Sequence, residues 1–289
     1  MPDEKETVIA IAGDACLCRS SGGGIDEAND PSGIRDHIED RLFGINRRQK
    51  AFLKDFVEKY SNKSILDVSY GNGDMAVLLA GWGKNVATLE HNPAQVDKVH
   101  LKSALAGVNP AVSCGDIRDL SSIYKEKFNL ITCLRNSLPR LINETDIWGT
   151  LAQIYLQLEP EGILLIQTLN YDCLFKENSD TLSALKKYYN DLDVNVYFDR
   201  GQGKSDARLI YRLTDFYTGR KKELEYVIPV RPIFQKELNI WLAELGYERI
   251  NNYCCFAGDA ANVEPWEVLT VAFRPCSSGN HQAVKRHKK

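Results

Sequence analysis

The sequence lacks a strong surplus of either charge: 36 lysines and arginines stand against 39 aspartates and glutamates, a formal net charge of −3 in 289 residues. That balance supplies no global field for a polyanion or an anionic membrane. No stripe of interleaved basic and aromatic residues marks a nucleic-acid groove either. Neither nucleic acid nor membrane is therefore expected as a partner. No apolar run approaches the ~20 residues that span a bilayer. The acidic opening MPDEKETVIAIAGDACLC has the wrong charge for the start of a signal peptide, and the chain reads as cytoplasmic. Eight cysteines are present without framework spacing, as free thiols in a reducing compartment would be. Cys16-x-Cys18 and Cys254-Cys255 have no second pair at zinc-site spacing, so no metal is expected. The turn at 68–74 has no GK[ST] and no complete G-x-G-x-x-G, which disfavours nucleoside triphosphates and dinucleotides.

What is present is an α/β alternation. Phe52, Leu53, Phe56, Val57 and Tyr60 recur at helical spacing over 46–60. Strand-like runs at 64–69, 85–90, 111–114, 128–134 and 162–169 alternate with helical runs at 74–82, 93–106 and 145–158. Such an order predicts a doubly wound, Rossmann-like, mostly parallel sheet of seven strands, with its ligand crevice at the carboxyl ends of the strands. From 172 to 230 the period changes to two, with GQG and TGRK turns. This stretch reads as an antiparallel insertion placed to act as a lid. A helix at 234–245 and strands near 248–257 and 266–274 complete the sheet. Residues 1–32 read as a flexible arm and 277–289 as a basic flexible tail, which leaves 33–171 and 231–276 as the main domain.

The chemistry collects at the strand ends. ILDVSYGNG places Asp67 at the end of the first strand, with Ser69, Gly71 and Gly73 in the turn that follows. Glycine there permits close approach of the backbone to a ligand. Glu90 ends the second strand beside His91, where a carboxylate can accept from both hydroxyls of a ribose. Asp116 and Ile117 follow the third strand, suited to an adenine's amino group and ring. Leu134, Arg135, Asn136 and Ser137 follow the fourth.

This set of motifs resembles the class I S-adenosylmethionine-dependent methyltransferases, and most closely the glycine N-methyltransferase and glycine/sarcosine methyltransferase group. The resemblance covers about residues 45–274. The group's CLGNS and RNYD stretches stand here as Cys133-Leu134-Arg135-Asn136-Ser137 and Leu169-Asn170-Tyr171-Asp172. It implies S-adenosyl-L-methionine as cofactor, cradled by Asp67, Ser69, Gly71, Gly73, Glu90, His91, Asp116, Ile117 and Leu134. Arg47 falls near an arginine that holds the cofactor's carboxylate in the group. The group's D-x-[AG]-C-G-T-G departs here to Ser69, Tyr70 and Asn72. Tyr70 is expected to point into the sheet or along the loop, and Asn72 to cap the next helix.

The acceptor side departs further. The arginine that grips the substrate carboxylate in the group is Leu169 here, and leucine cannot form that bidentate pair. Arg135 and Arg231 are the candidate replacements, and Asn136 and Tyr171 complete the candidate catalytic set. Outward pairing is the alternative for the two arginines, and a buried structural role is the alternative for Tyr171. The expected function is methylation of a small molecule, an amine or amino-acid derivative other than glycine. The alternative is a catalytically impaired cofactor-binding or regulatory partner. A homo-oligomer is left open.

Overall fold

Strand β1 (Ser64–Asp67) runs parallel between β2 (Asn85–Glu90) and β4 (Phe128–Cys133), with Ile65 paired to both Val86 and Leu130. The computed structural model describes residues 45, 47–60, 64–71, 73–176, 187–189, 192–201, 207–215, 222–254 and 267–276. The expected arm, the basic tail and the capping role of Asn72 lie outside the described residues.

Beyond β2 lies β3 (Ala111–Cys114), and beyond β4 lies β5 (Leu158–Leu169), both parallel to their neighbours. Next comes β11 (Glu267–Phe273), antiparallel to β5, and β10 (Glu248–Cys254) forms the edge. The order β10-β11-β5-β4-β1-β2-β3 is the expected seven-stranded, mostly parallel sheet. Successive residues of β1 and β4 serve opposite faces. Ile65 and Leu130 pack with Leu53, Phe56, Met75 and Leu79 on one side. Leu66 and Ile131 pack with Ile147, Leu151, Leu238 and Trp241 on the other. A sheet buried on both faces must draw its strands from continuous apolar runs.

The helices on those faces are α1 (Arg47–Tyr60), α2 (Asp74–Gly81), α3 (Pro93–Ala106), α4 (Leu120–Ile123), α5 (Glu144–Gln157), α6 (Tyr171–Lys176) and α7 (Gln235–Glu244). Local chemistry sets their limits. Asn92 Oδ1 accepts from the Ala94 amide at 2.8 Å, Pro93 fills the first turn of α3, and Gly107 ends it in the left-handed region. Asn143 caps α5 in the same way. Among the described residues no helix is long and apolar enough to cross a membrane.

A second, four-stranded antiparallel sheet follows: β6 (Lys187–Tyr189), β7 (Leu192–Asp199), β8 (Arg208–Asp215) and β9 (Lys222–Pro229). Aromatic contacts join it to the first unit. Phe198 meets Tyr171 and Phe175 at 5.8 and 5.6 Å, and Phe175 meets Phe234 at 5.1 Å.

Two expectations are corrected. β5 starts at Leu158 rather than 162, directly where α5 ends, because Leu158 pairs with Phe128 before a register shift at Glu159–Gly162. The period-two stretch from 172 opens with the short helix α6 instead of a strand.

Candidate functional site

The loop after β1 is held open by side chains, not by glycine alone. Asp67 is 2% exposed, and its Oδ1 accepts from Ser69 Oγ at 2.5 Å, from the Ser69 amide at 3.2 Å and from Thr132 Oγ1 at 2.8 Å. Ser69 Oγ in turn accepts from the Leu134 amide at 2.9 Å. A serine at this position therefore ties the β1 loop to the β4 turn. Ser137 adds a parallel tie: its Oγ accepts from the Tyr70 amide at 2.6 Å and donates to the Leu134 carbonyl. Gly73 caps α2 at φ 76, and a Cβ there would stand 2.3 Å from Val99 Cγ2. That glycine is demanded by conformation and by packing against α3.

Tyr70 does not point into the sheet. Its ring lies between His91, stacked at 5.4 Å with 23° between planes, and the Arg140 guanidinium 3.5 Å from the ring centroid. The cation and the imidazole face hold the tyrosine across the strand ends.

Beyond β4 the backbone makes an unusual turn. Arg135 and Asn136 are both left-handed, at φ 60 and 56. Asparagine tolerates this region, whereas arginine there costs about 1 kcal/mol. Gln167 in β5 enforces the turn, since its side-chain oxygen accepts from the Arg135 amide and its carbonyl from the Asn136 amide. The Asn136 side chain then closes the structure. Its Oδ1 accepts from the Leu169 amide at 3.0 Å, and its Nδ2 donates to Tyr171 Oη at 2.9 Å. Tyr171 is 1% exposed. The two expected catalytic polar groups are thus bonded to each other.

The Arg135 side chain, 9% exposed, folds over the glycine loop. A Cβ on Gly71 would lie 2.4 Å from its Nη1. Its ion-pair partner is Asp74 at 3.4 Å, an acid that also takes Lys102 at 2.7 Å. Its Nε is buried without a hydrogen-bond partner.

Glu90, 2% exposed, has no hydrogen bond to its carboxyl among the described residues. Burial, reinforced by Asp67, pushes its carboxyl up to about 8, against the pull of Arg135 and Lys102. Asp67 is raised by burial too, but its bonds from Ser69 and Thr132 offset this. Asp116 differs. Its Oδ1 caps the turn at Ile117–Asp119, and Oδ2 meets Arg118 Nη2 at 2.5 Å.

Two expected residues stand apart. Arg231 is paired inside the fold: its guanidinium meets Glu144 at 2.6 Å and Glu237 at 2.8 Å, and lies 5.0 Å from the Trp241 ring. Arg47 is exposed on the first turn of α1. Sequence reasoning missed Gln167, Thr132 and Arg140. A glutamine and a threonine inside the apolar strands ILLIQTL and FNLITC were legible signals; Arg140, seventy residues from Tyr70, was not.

The profile of the methyltransferase domain family matches residues 43–254. The glycine/sarcosine N-methyltransferase of Halorhodospira halochloris is 26% identical over 236 residues, which cover 81% of this chain and 84% of the relative. Among solved structures, a S-adenosylmethionine-dependent methyltransferase of Clostridium acetobutylicum superposes with a TM-score of 0.68 at 15% identity, covering 84% of this chain and 98% of that one. An amino pentose methyltransferase of Micromonospora echinaspora, solved with S-adenosylmethionine bound, gives 0.62 at 18% identity over 82% and 95%.

Proposed function

The chain belongs to the methyltransferase domain family, whose methyl donor is S-adenosylmethionine, and from that premise we propose that it N-methylates a small amine or amino-acid derivative other than glycine.

The strand ends suit this donor. Glu90 is a buried acid with no donor bound to it among the described residues, the chemistry that two ribose hydroxyls satisfy. Ser69 and Gly71 bring backbone polar groups to the crevice, and the half-buried Ile117 offers apolar surface beside them. When bound, the donor supplies a methyl group on a positively charged sulfur, to be taken in line by the lone pair of a neutral nitrogen. Alignment of that nitrogen then matters more than a strong base. In this reading Asn136 and Tyr171 are positioning residues, locking the β4 turn to the end of β5.

Leu169 is the observation that carries the exclusion of glycine. It is buried at the end of β5, where the glycine-specific pattern has an arginine. Neither alternative cation compensates from the acceptor side: Arg231 is spent on two carboxylates, and Arg135 turns toward Gly71. An α-carboxylate beside Leu169 would be desolvated without a partner, at a cost of several kcal/mol.

The test is methyl transfer to glycine against a panel of small amines, read by S-adenosylhomocysteine release. Glycine is expected to show kcat/KM more than about a hundred-fold below that of the best amine. Turnover of glycine at a rate matching any amine overturns the proposal. Donor binding by calorimetry with no release from any amine moves the chain to the regulatory-partner reading.

A further inference from the structure

We infer that Arg135 is the receptor for the carboxylate of the donor's amino-acid end, a specificity-determining cation built into the β4 turn. The inference rests on the reading of the crevice as a S-adenosylmethionine site.

Strand order gives the direction. β4, β1, β2 and β3 lie side by side in that sequence. With the ribose at Glu90, on the end of β2, and adenine toward Ile117, beyond β3, the amino-acid portion extends toward β1 and β4. Arg135 is the second residue past β4, and its guanidinium lies on Gly71, the turn after β1. The cation thus stands over the turn after β1, on the β4 side of Glu90.

Its bonding is incomplete. A guanidinium carries five N–H donors in a rigid fork. Among the described residues it makes one hydrogen bond, 3.4 Å to an Asp74 oxygen, from an acid whose other oxygen is 2.7 Å from Lys102. Nε is buried with no partner at all. A side chain nine-tenths buried in that condition is costly unless an anion completes it. A carboxylate matches the fork in geometry and charge.

The backbone supports the same conclusion. Left-handed φ at an arginine is uncommon, and the position is fixed by Gln167 behind it and by Asn136 ahead of it. The turn therefore aims a long cationic side chain from a fixed Cα. It projects along the glycine loop instead of toward Leu169, which places its charge on the donor rather than on the acceptor. The competing role is a cover, in which the guanidinium merely occupies the loop and must leave before the donor enters.

The two roles predict opposite signs. Titration calorimetry on the full chain uses S-adenosylmethionine and its decarboxylated form, which keeps the adenosine, sulfonium and amine. The native protein is expected to prefer the carboxylate-bearing form by about ten-fold or more. Arg135→Gly, which suits φ 60, should abolish the preference by weakening S-adenosylmethionine while leaving the decarboxylated form unchanged. Arg135→Lys should keep part of it. Equal or tighter S-adenosylmethionine binding by Arg135→Gly overturns the inference and makes the side chain a cover. Equal affinity for the two ligands in the native protein overturns it as well. No binding of either ligand by the native protein instead removes the donor reading itself.

Discussion

The turn after β4 and the segment entering α7 each bury an arginine, and the two have little else in common. Arg231 is matched by Glu237 through two nitrogens and by Glu144 through one, with Trp241 against its face. Arg135 has a single long contact and a buried Nε without a partner. From composition and neighbouring motifs the two are equal candidates to carry charge into the crevice. The difference lies in pairing: a cation held by two carboxylates and an indole face is part of the framework, and one left short of acceptors has capacity for a ligand. Burial alone does not separate them.

The largest expected effect breaks the framework arginine. Arg231→Ala removes the Arg231 charge from the partly buried Glu237, and should cost about 3 kcal/mol in denaturant unfolding. Affinity of the folded fraction for S-adenosylmethionine should not change. Arg135→Gly should behave in the opposite way, holding or gaining about 1 kcal/mol as the left-handed strain is relieved. Equal losses of stability in both variants would collapse the distinction.

Next in size is the pair that locks the β4 turn. Asn136→Ala removes the acceptor of the Leu169 amide and the Asn136 bond to the Tyr171 hydroxyl, and puts alanine at φ 56. About 2 kcal/mol should be lost in the same unfolding experiment. Tyr171→Phe removes only the hydroxyl and should cost about half as much. A neutral Asn136→Ala would show that Gln167 alone fixes the turn, and the aim of Arg135 would no longer depend on Asn136.

The sequence carried the framework further than the site. Continuous apolar strands and capped helices such as α3 announce themselves through short-range chemistry, so the mostly parallel sheet and the acids at the strand ends were legible. Side-chain direction was not. Tyr70 was expected into the sheet or along the loop, with no sign that a residue seventy positions away, Arg140, holds it against His91. The fate of Arg231 likewise depends on Glu144, eighty-seven positions distant. The start of β5 was misread because Glu159-Pro160-Glu161-Gly162 looks like a turn, whereas Glu161 at φ 62 lets the strand pass through a bulge. Leu169 could be placed from the NYD motif alone, since that motif fixes its position by adjacency.

The pairing contrast extends to the acids and gives the smallest prediction. Asp116 is bound by Arg118, while Glu90 has no donor among the described residues and its carboxyl is pushed up to about 8 from an ordinary 4.5. Asp67 adds to the rise, and Arg135 and Lys102 oppose it. A raised acid keeps its proton in the folded state at pH values where the unfolded chain has lost it. Its contribution to stability therefore falls as pH climbs from about 4.5 to about 8, and is level beyond. Glu90→Gln cannot ionise, so its stability relative to the native protein should rise across that window. Binding runs the other way. Ribose hydroxyls favour the carboxylate, so affinity for S-adenosylmethionine should tighten between pH 6 and 8, by at most about ten-fold per unit, and then level off. Glu90→Gln should lose most of that dependence and bind about ten-fold more weakly at pH 8.5, as a charge-assisted bond becomes a neutral one. Any residual slope belongs to Asp67, which burial raises in the same direction. Native affinity that is flat with pH and matched by Glu90→Gln would remove Glu90 from the ribose site, and with it the direction along which Arg135 meets the carboxylate.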